Sequence, residues 1–480
     1  MMSQIESNDQ SILRDGRISH VSLLLIIAVL MVLLCLIASI FESSGSFESN
    51  SFFVIGTFAI NGFMGIVFLC RSIAARSFSL VQMHWIFYIT MFVIAPCSQF
   101  LNGYSAWGYS LTISDYLVTN VALTVWGMLF AIFSIDHSGN AAYRQKVFFS
   151  SLVKIDARAE MIALIVSLIA TAVVIAFVGF ENLFSRATFS TDLDKTMGLL
   201  FDKAIRPLPV FAFVLVLARC KQRDRFSPIL LASFALMLIA CFPTGMARYN
   251  MACIYGGILL LIIVSLFEKK GLFALLFLLA FLIVFPASNS YRWQTFTFSM
   301  FGDALLEAAG NLSRGFCAVD YDAYSMVART IKYVGSHGAT DGYQLLGVLF
   351  FFVPRALWPT KPEGSGNLVC VAQGQMQLNI SSPLPAEGLI NFGIIGIILF
   401  AVGAALICRS VDRWFISSRT PIRLFYPFAC LLMFFIMRGD LLSSFAFTVG
   451  YFVSFSTLCI ACLGFRALLG NREKGDARYV

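Results

Sequence analysis

Three arginines stand at or beside helix-breaking residues. They are Arg248 in Pro243-Thr-Gly-Met-Ala-Arg248-Tyr-Asn250, Arg355 in Phe351-Phe-Val-Pro354-Arg355, and Arg438 in Arg438-Gly439-Asp440. A guanidinium is a planar fork that binds phosphate oxygens bidentately, so three at one depth suit an anionic, phosphate-bearing ligand. Lys361, between Pro359 and Pro362, adds a point charge to the second group. A base must lie near any hydroxyl that is to lose a proton, and Glu387, His337 and Asp440 are the candidates, in that order. Trp358 offers a ring face to a sugar. Each residue also has an ordinary use. An arginine snorkels to headgroups or pairs with a carboxylate. Glu387 opens an apolar run and suits the first turn of a helix. Asp440 suits an N-cap, His337 an exposed loop, and Trp358 a membrane interface. Asp320-Tyr321-Asp322 has the spacing of a metal-binding DxD, but that spacing is common by chance, and no metal site is assigned.

The elements that position these groups are apolar. Of 480 residues, 59% are hydrophobic and 12% charged, half the charged share of a soluble chain, and mean hydropathy is +0.83. The chain is therefore expected to be an all-α polytopic membrane protein. The net charge of +8 is too scattered for a nucleic-acid footprint, and no nucleic-acid partner is expected. There is no P-loop, HExxH or GxSxG signature. Cys459-Ile-Ala-Cys462 sits mid-span and reads as packing. Cys317 and Cys370 share a loop, but a disulfide between them is not expected.

About twelve apolar runs approach the ~20 residues of a span: 20–41, 51–70, 83–101, 116–135, 159–180, 200–219, 228–243, 249–267, 272–288, 388–408, 423–437 and 441–463. The first is too long for a cleaved signal and reads as a span. With the N-terminus inside, 22 of the 34 Lys and Arg residues fall on the inner side. This is the expected cytoplasmic bias and puts both termini in the cytoplasm. The reading divides the chain into a bundle at 1–288, a large outer loop at 289–387, and C-terminal spans with a tail at 388–480. The loop should hold amphipathic helices at Gly302–Ala309 and about 319–334. In the second, Val319, Ala323, Met326, Val327, Thr330, Ile331 and Val334 make the apolar face, while Asp320, Asp322, Arg329 and Lys332 make the polar one. Were Leu345–Val353 a full span, the basic 409–423 loop would turn outward. It is expected instead to dip into the outer leaflet and return, with Pro354, Pro359 and Pro362 forcing non-helical backbone.

Taken together, Pro354-Arg355-x-x-Trp358-Pro359-x-Lys361-Pro362, Glu387-x-x-x-Asn391-Phe392-Gly393-x-x-Gly396 and Arg438-Gly439-Asp440 resemble the Wzy-type oligosaccharide repeat-unit polymerases of O-antigen and exopolysaccharide synthesis. The ten residues between Arg355 and Gly366 match an Arg-x10-Gly pattern of such enzymes. The resemblance implies a lipid-dependent glycosyltransferase (GT-C-like) bundle in the bacterial inner membrane, with a periplasmic active site. The implied partners are undecaprenyl-diphosphate-linked oligosaccharide, membrane lipids and a chain-length regulator, with no cofactor. Arg248, Arg355, Lys361 and Arg438 would bind the diphosphate. An O-antigen ligase acting on a lipid A core and a flippase of lipid-linked sugar are the alternatives.

Overall fold

The computed structural model describes residues 51–76, 78–135, 152, 154–184, 198, 201–263, 271–287, 298–310, 315–375, 380–417 and 420–464. The expected first span at 20–41 and the basic tail lie outside them. Among the described residues every regular element is helical. Eight helices are long and apolar enough to cross a membrane, which makes the chain a multi-pass membrane protein.

In chain order the helices are α1 (Ser51–Ala75), α2 (Leu80–Leu101), α3 (Ile113–Ser134), α4 (Ala157–Val178), α5 (Leu208–Arg223), α6 (Pro228–Ala240), α7 (Arg248–Ile262) and α8 (272–287). Then follow α9 (Phe298–Gly310), α10 (Ala323–His337), α11 (Tyr343–Leu349), α12 (Ser365–Ala372), α13 (Leu384–Ser417), α14 (Tyr426–Arg438) and α15 (Leu441–Leu463). Polar caps set several starts. Thr112 and Asp115 form a reciprocal capping box on α3, Asp156 caps α4 and Ser79 caps α2. Three expected spans, at 200–219, 249–267 and 272–288, form shorter helices: α5, α7 and α8. Wide-turn stretches at Phe201–Ile205 and Ala280–Val284 interrupt the first and third. α2 and α5 form the centre of the bundle, buried on all sides, and α5 is buried continuously from Pro209 to Arg219.

The two ends of the bundle differ in charge. At the basic end, α1 stops at Ala75, α13 carries Arg409 and Arg413, and the α5–α6 turn carries Arg219, Lys221, Arg223 and Arg225. A buried pair between Arg219 and Glu160 joins α5 to α4 there. At the loop end lie the 102–112 turn, Arg248, and the described residues of 316–375 and 380–387. α3 spans the two ends: Asp115 pairs with Lys332 of α10, while Ser134 lies beside Arg409, about 29 Å away at 1.5 Å per residue.

α13 is two helices. Phe392 (φ −138°, ψ 19°) and Gly393 (φ 60°, ψ −145°) break it, and the stub at 384–391 folds back on the long segment. Backbone meets backbone there: a Cβ on Gly396 would stand 1.8 Å from the Gly388 carbonyl oxygen. Glycine is therefore required at 388 and 396 for close approach, and at 393 for its positive φ.

Candidate functional site

The loop end gathers most of the expected residues, in three groups. The first is a pair of carboxylates at two helix starts. Glu387, on the α13 stub, is 1% exposed. Its Oε2 accepts from the Ser365 hydroxyl (2.8 Å) and its Oε1 from the Leu441 amide (3.0 Å), tying the stub to α12 and α15. Asp440 is the N-cap of α15, accepting from the Leu442 and Ser443 amides at 3.0 and 3.4 Å through Oδ1. Its Oδ2 accepts from the Gly366 amide at 3.4 Å. The positive ends of α12 and α15 thus converge on this carboxylate. Burial pushes the Asp440 carboxyl above its usual value, while those amides and that of Ser365 act the other way. As a residue, Asp440 is less buried than Glu387.

Tight packing explains the glycines before α12. A Cβ on Gly366 would lie 2.7 Å from the carbonyl oxygens of Ile380 and Ser381. One on Gly364 would stand 2.2 Å from Asp440 Oδ2, so the chain passes directly over that carboxylate.

The second group is a charge-balanced clamp. Arg248 Nη2 donates to Asp320 Oδ1 (2.9 Å), and its guanidinium lies over the Phe285 ring (5.2 Å). Arg438 Nε donates to the Asp320 carbonyl (3.0 Å), and its Nη2 to Asp322 Oδ1 (3.1 Å). Asp322 also accepts from the Ser381 hydroxyl (2.7 Å) and the Trp107 indole (2.9 Å). Two arginines meet two aspartates, so the clamp carries no net charge.

The third group is the Pro354–Pro362 loop. Arg355 donates from Nη1 to the Lys361 carbonyl (2.7 Å) and from Nη2 to the Pro362 carbonyl (3.4 Å). Lys361 Nζ donates to the Phe351 and Val353 carbonyls at 2.6 and 3.0 Å. Burial, and then the nearby Arg355 charge, pull the Lys361 ammonium below its usual value. Both cations bond to neutral carbonyls of their own loop, so among the described residues their charges are uncompensated. Trp358 meets Tyr343 edge-on (6.0 Å), and the Tyr343 hydroxyl donates to the Thr360 carbonyl (2.6 Å). Asn391 anchors this unit, its Oδ1 accepting from the Leu345 amide (2.8 Å). The apolar stretch before Pro354 is thus a short helix, α11, followed by turns.

His337 is not brought into these groups. It stacks on Tyr333 (4.7 Å), and its Nδ1 lies 2.8 Å from the Ser336 hydroxyl, both on α10 and exposed. Cys317 and Cys370 are not joined by a disulfide.

α10 corrects the amphipathic expectation. Asp322 and Arg329, placed on its polar face from periodicity, are fully buried, and the first two turns are buried all round. Arg329 donates from Nε to Gln373 (2.7 Å) and lies over the Tyr109 ring (4.6 Å). Its two Nη atoms have no partner among the described residues. The aspartates of the clamp, Ser365 and Arg329 are the residues that sequence reasoning did not assign to the site. The spacing of Asp320 and Asp322 was the available signal, and their partners are arginines.

No protein-family model matches the chain, and no match to a curated protein or a solved structure is found.

Proposed function

We propose that the chain polymerises polyprenyl-diphosphate-linked oligosaccharide repeat units, as a bacterial inner-membrane glycosyltransferase with its loop end facing the periplasm. One observation carries the reading: two cations without a carboxylate partner among the described residues sit on a closed loop whose next residues pass over the Asp440 carboxylate. Glycosyl transfer from a lipid diphosphate needs that pairing. The acceptor hydroxyl oxygen bonds to the anomeric carbon of the donor glycan. The bond from that carbon to the diphosphate oxygen breaks, its electron pair leaves with the diphosphate, and the hydroxyl proton passes to a base. Arg355 and Lys361 stabilise the departing charge, and Trp358 flanks them. Arg438 and Arg248, each paired with an aspartate, hold the clamp beside this loop. Asp440 takes the proton and Glu387 positions it. Of the two, Asp440 is the less buried residue. The net positive charge at the opposite end of the bundle supports the orientation.

Arg355→Ala in cells that depend on this chain should abolish long glycans, while single repeat units still reach their final carrier. Normal chain lengths in that variant would refute the proposal. Loss of single units as well would point to a ligase, and trapping of lipid-linked units on the inner leaflet to a flippase.

A further inference from the structure

A second polar cavity lies at the basic end, where α1, α2, α3 and α13 meet. It is an open cleft with a cavity volume of about 180 Å³. Arg71, Arg76 and Arg409 line it, with Asp412 as its one carboxylate. Asp412 is already well supplied with donors. Its Oδ1 accepts from the Leu80 amide (2.9 Å) and the Tyr426 hydroxyl (2.7 Å). Its Oδ2 accepts from the Val81 amide (3.4 Å) and faces Arg76 at 3.9 Å. Among the described lining residues, three arginines stand with one carboxylate.

Arg409 and Arg71 keep donors that the described residues do not take up. Arg409 Nη1 donates to the Ile135 carbonyl (3.3 Å), but its Nε is buried with no partner among the described residues. Arg71 is exposed, with its guanidinium 5.8 Å from the Phe68 ring centre. Phe68, stacked on Trp85 at 5.2 Å, gives the wall an aromatic part, and Ser72, Ser79 and Ser134 add hydroxyls. A cationic mouth over an aromatic wall, at the level of helix ends, matches a phosphate joined to hydrocarbon.

We propose that this cavity binds the headgroup phosphate of an anionic phospholipid in the leaflet at the basic end. Arg409 and Arg71 would hold the phosphate oxygens, and Phe68, backed by the buried Trp85, would cover the glycerol and the first methylenes. A basic pocket between membrane helices is the arrangement that captures such headgroups. Free phosphate shares the charge chemistry but makes no use of the aromatic wall. The site lies at the far end of the bundle from the carboxylates and stands whether or not the glycan reading holds.

Purified full-length protein in neutral phosphatidylcholine nanodiscs, doped with phosphatidylglycerol, provides the test by native mass spectrometry. Wild type should retain phosphatidylglycerol preferentially, and Arg409→Gln should lower retention about fivefold, the worth of one arginine near a membrane surface. If Arg409→Gln does not yield a monodisperse protein, Arg71→Gln, at an exposed position, should show the same direction. Inorganic phosphate at millimolar concentration should not displace the lipid. Unchanged retention in a folded variant, no preference over phosphatidylcholine, or full displacement by inorganic phosphate would each overturn the proposal.

Discussion

Two pairs of cations lie at the loop end, and they are held in opposite ways. Arg248 and Arg438 each meet an aspartate, and Asp322 is 1% exposed. Arg355 and Lys361 meet only backbone carbonyls of their own loop. A compensated pair removes its own field and stiffens the chain, here joining α7 and α14 to the start of α10. An uncompensated pair keeps its field for a ligand and loses little if that ligand is absent. All four residues are cations in the sequence, and only the partners separate a brace from a binding site.

The comparison breaks most readily at Arg438. Arg438→Ala leaves the buried Asp322 carboxylate without its counter-ion, and uncompensated buried charge of this kind costs about 3 kcal/mol or more. The expected outcome is a large fall in thermal stability and yield. The double variant Arg438→Met with Asp322→Asn should recover much of it, because the second change removes the stranded charge. If both variants fold as wild type, the clamp is not a brace.

Arg355→Ala should show the reverse pattern. Unfolding should shift by no more than about 0.5 kcal/mol, as at other exposed positions. Polymerising activity should drop about 100-fold or more, the usual loss when one donor to a developing anion is removed. Comparable losses of stability in Arg355→Ala and Arg438→Ala would erase the distinction between the two pairs.

Much of this arrangement was legible in the sequence, and the exceptions share a cause. Hydropathy identified α1, α3, α4, α13 and α15, because a span is a local property of about twenty residues. The motif at Glu387–Gly396 was recognised as a block, but its meaning is geometric: Gly388 and Gly396 touch only because the chain reverses at Gly393. Periodicity put Asp322 and Arg329 in solvent because an amphipathic pattern records polarity, which normally tracks exposure. Here Asp322 is buried and satisfied by Arg438 and Ser381, 116 and 59 residues away. No window along the chain contains such a pairing. The same limit applies to Arg355 and Lys361. Their residue types were plain, but a lack of carboxylate partners emerges only when the loop is folded.

Glycine substitutions sharpen the comparison on a smaller scale. Gly366→Ala forces a methyl against two backbone carbonyls and should cost about 1–3 kcal/mol of stability. Gly364→Ala meets instead the Asp440 carboxylate, the end of a side chain that can swing away. Stability should change less, and activity should fall, because the group displaced is the proposed base. Equal activity in Gly364→Ala and wild type would detach Asp440 from the reaction.

The smallest effect expected is a pH slope at Asp440. Burial raises its folded-state affinity for a proton above that of the unfolded chain, where an aspartate titrates near about 3.9. Between the unfolded and the raised folded value, the native state therefore binds more protons, and stability must fall as pH rises through that window. The slope from one such group is at most about 1.4 kcal/mol per pH unit. Asp440→Asn keeps a competent cap on α15, although its amide then faces the Gly366 N–H and lowers stability at every pH. The readout is thus the slope: unfolding midpoints from about pH 4 to 7 should decline in wild type and flatten in Asp440→Asn. Activity should climb over the same window, since only the deprotonated carboxylate accepts a proton. An identical decline in the variant would assign the titration to another group and leave Asp440 as a cap alone.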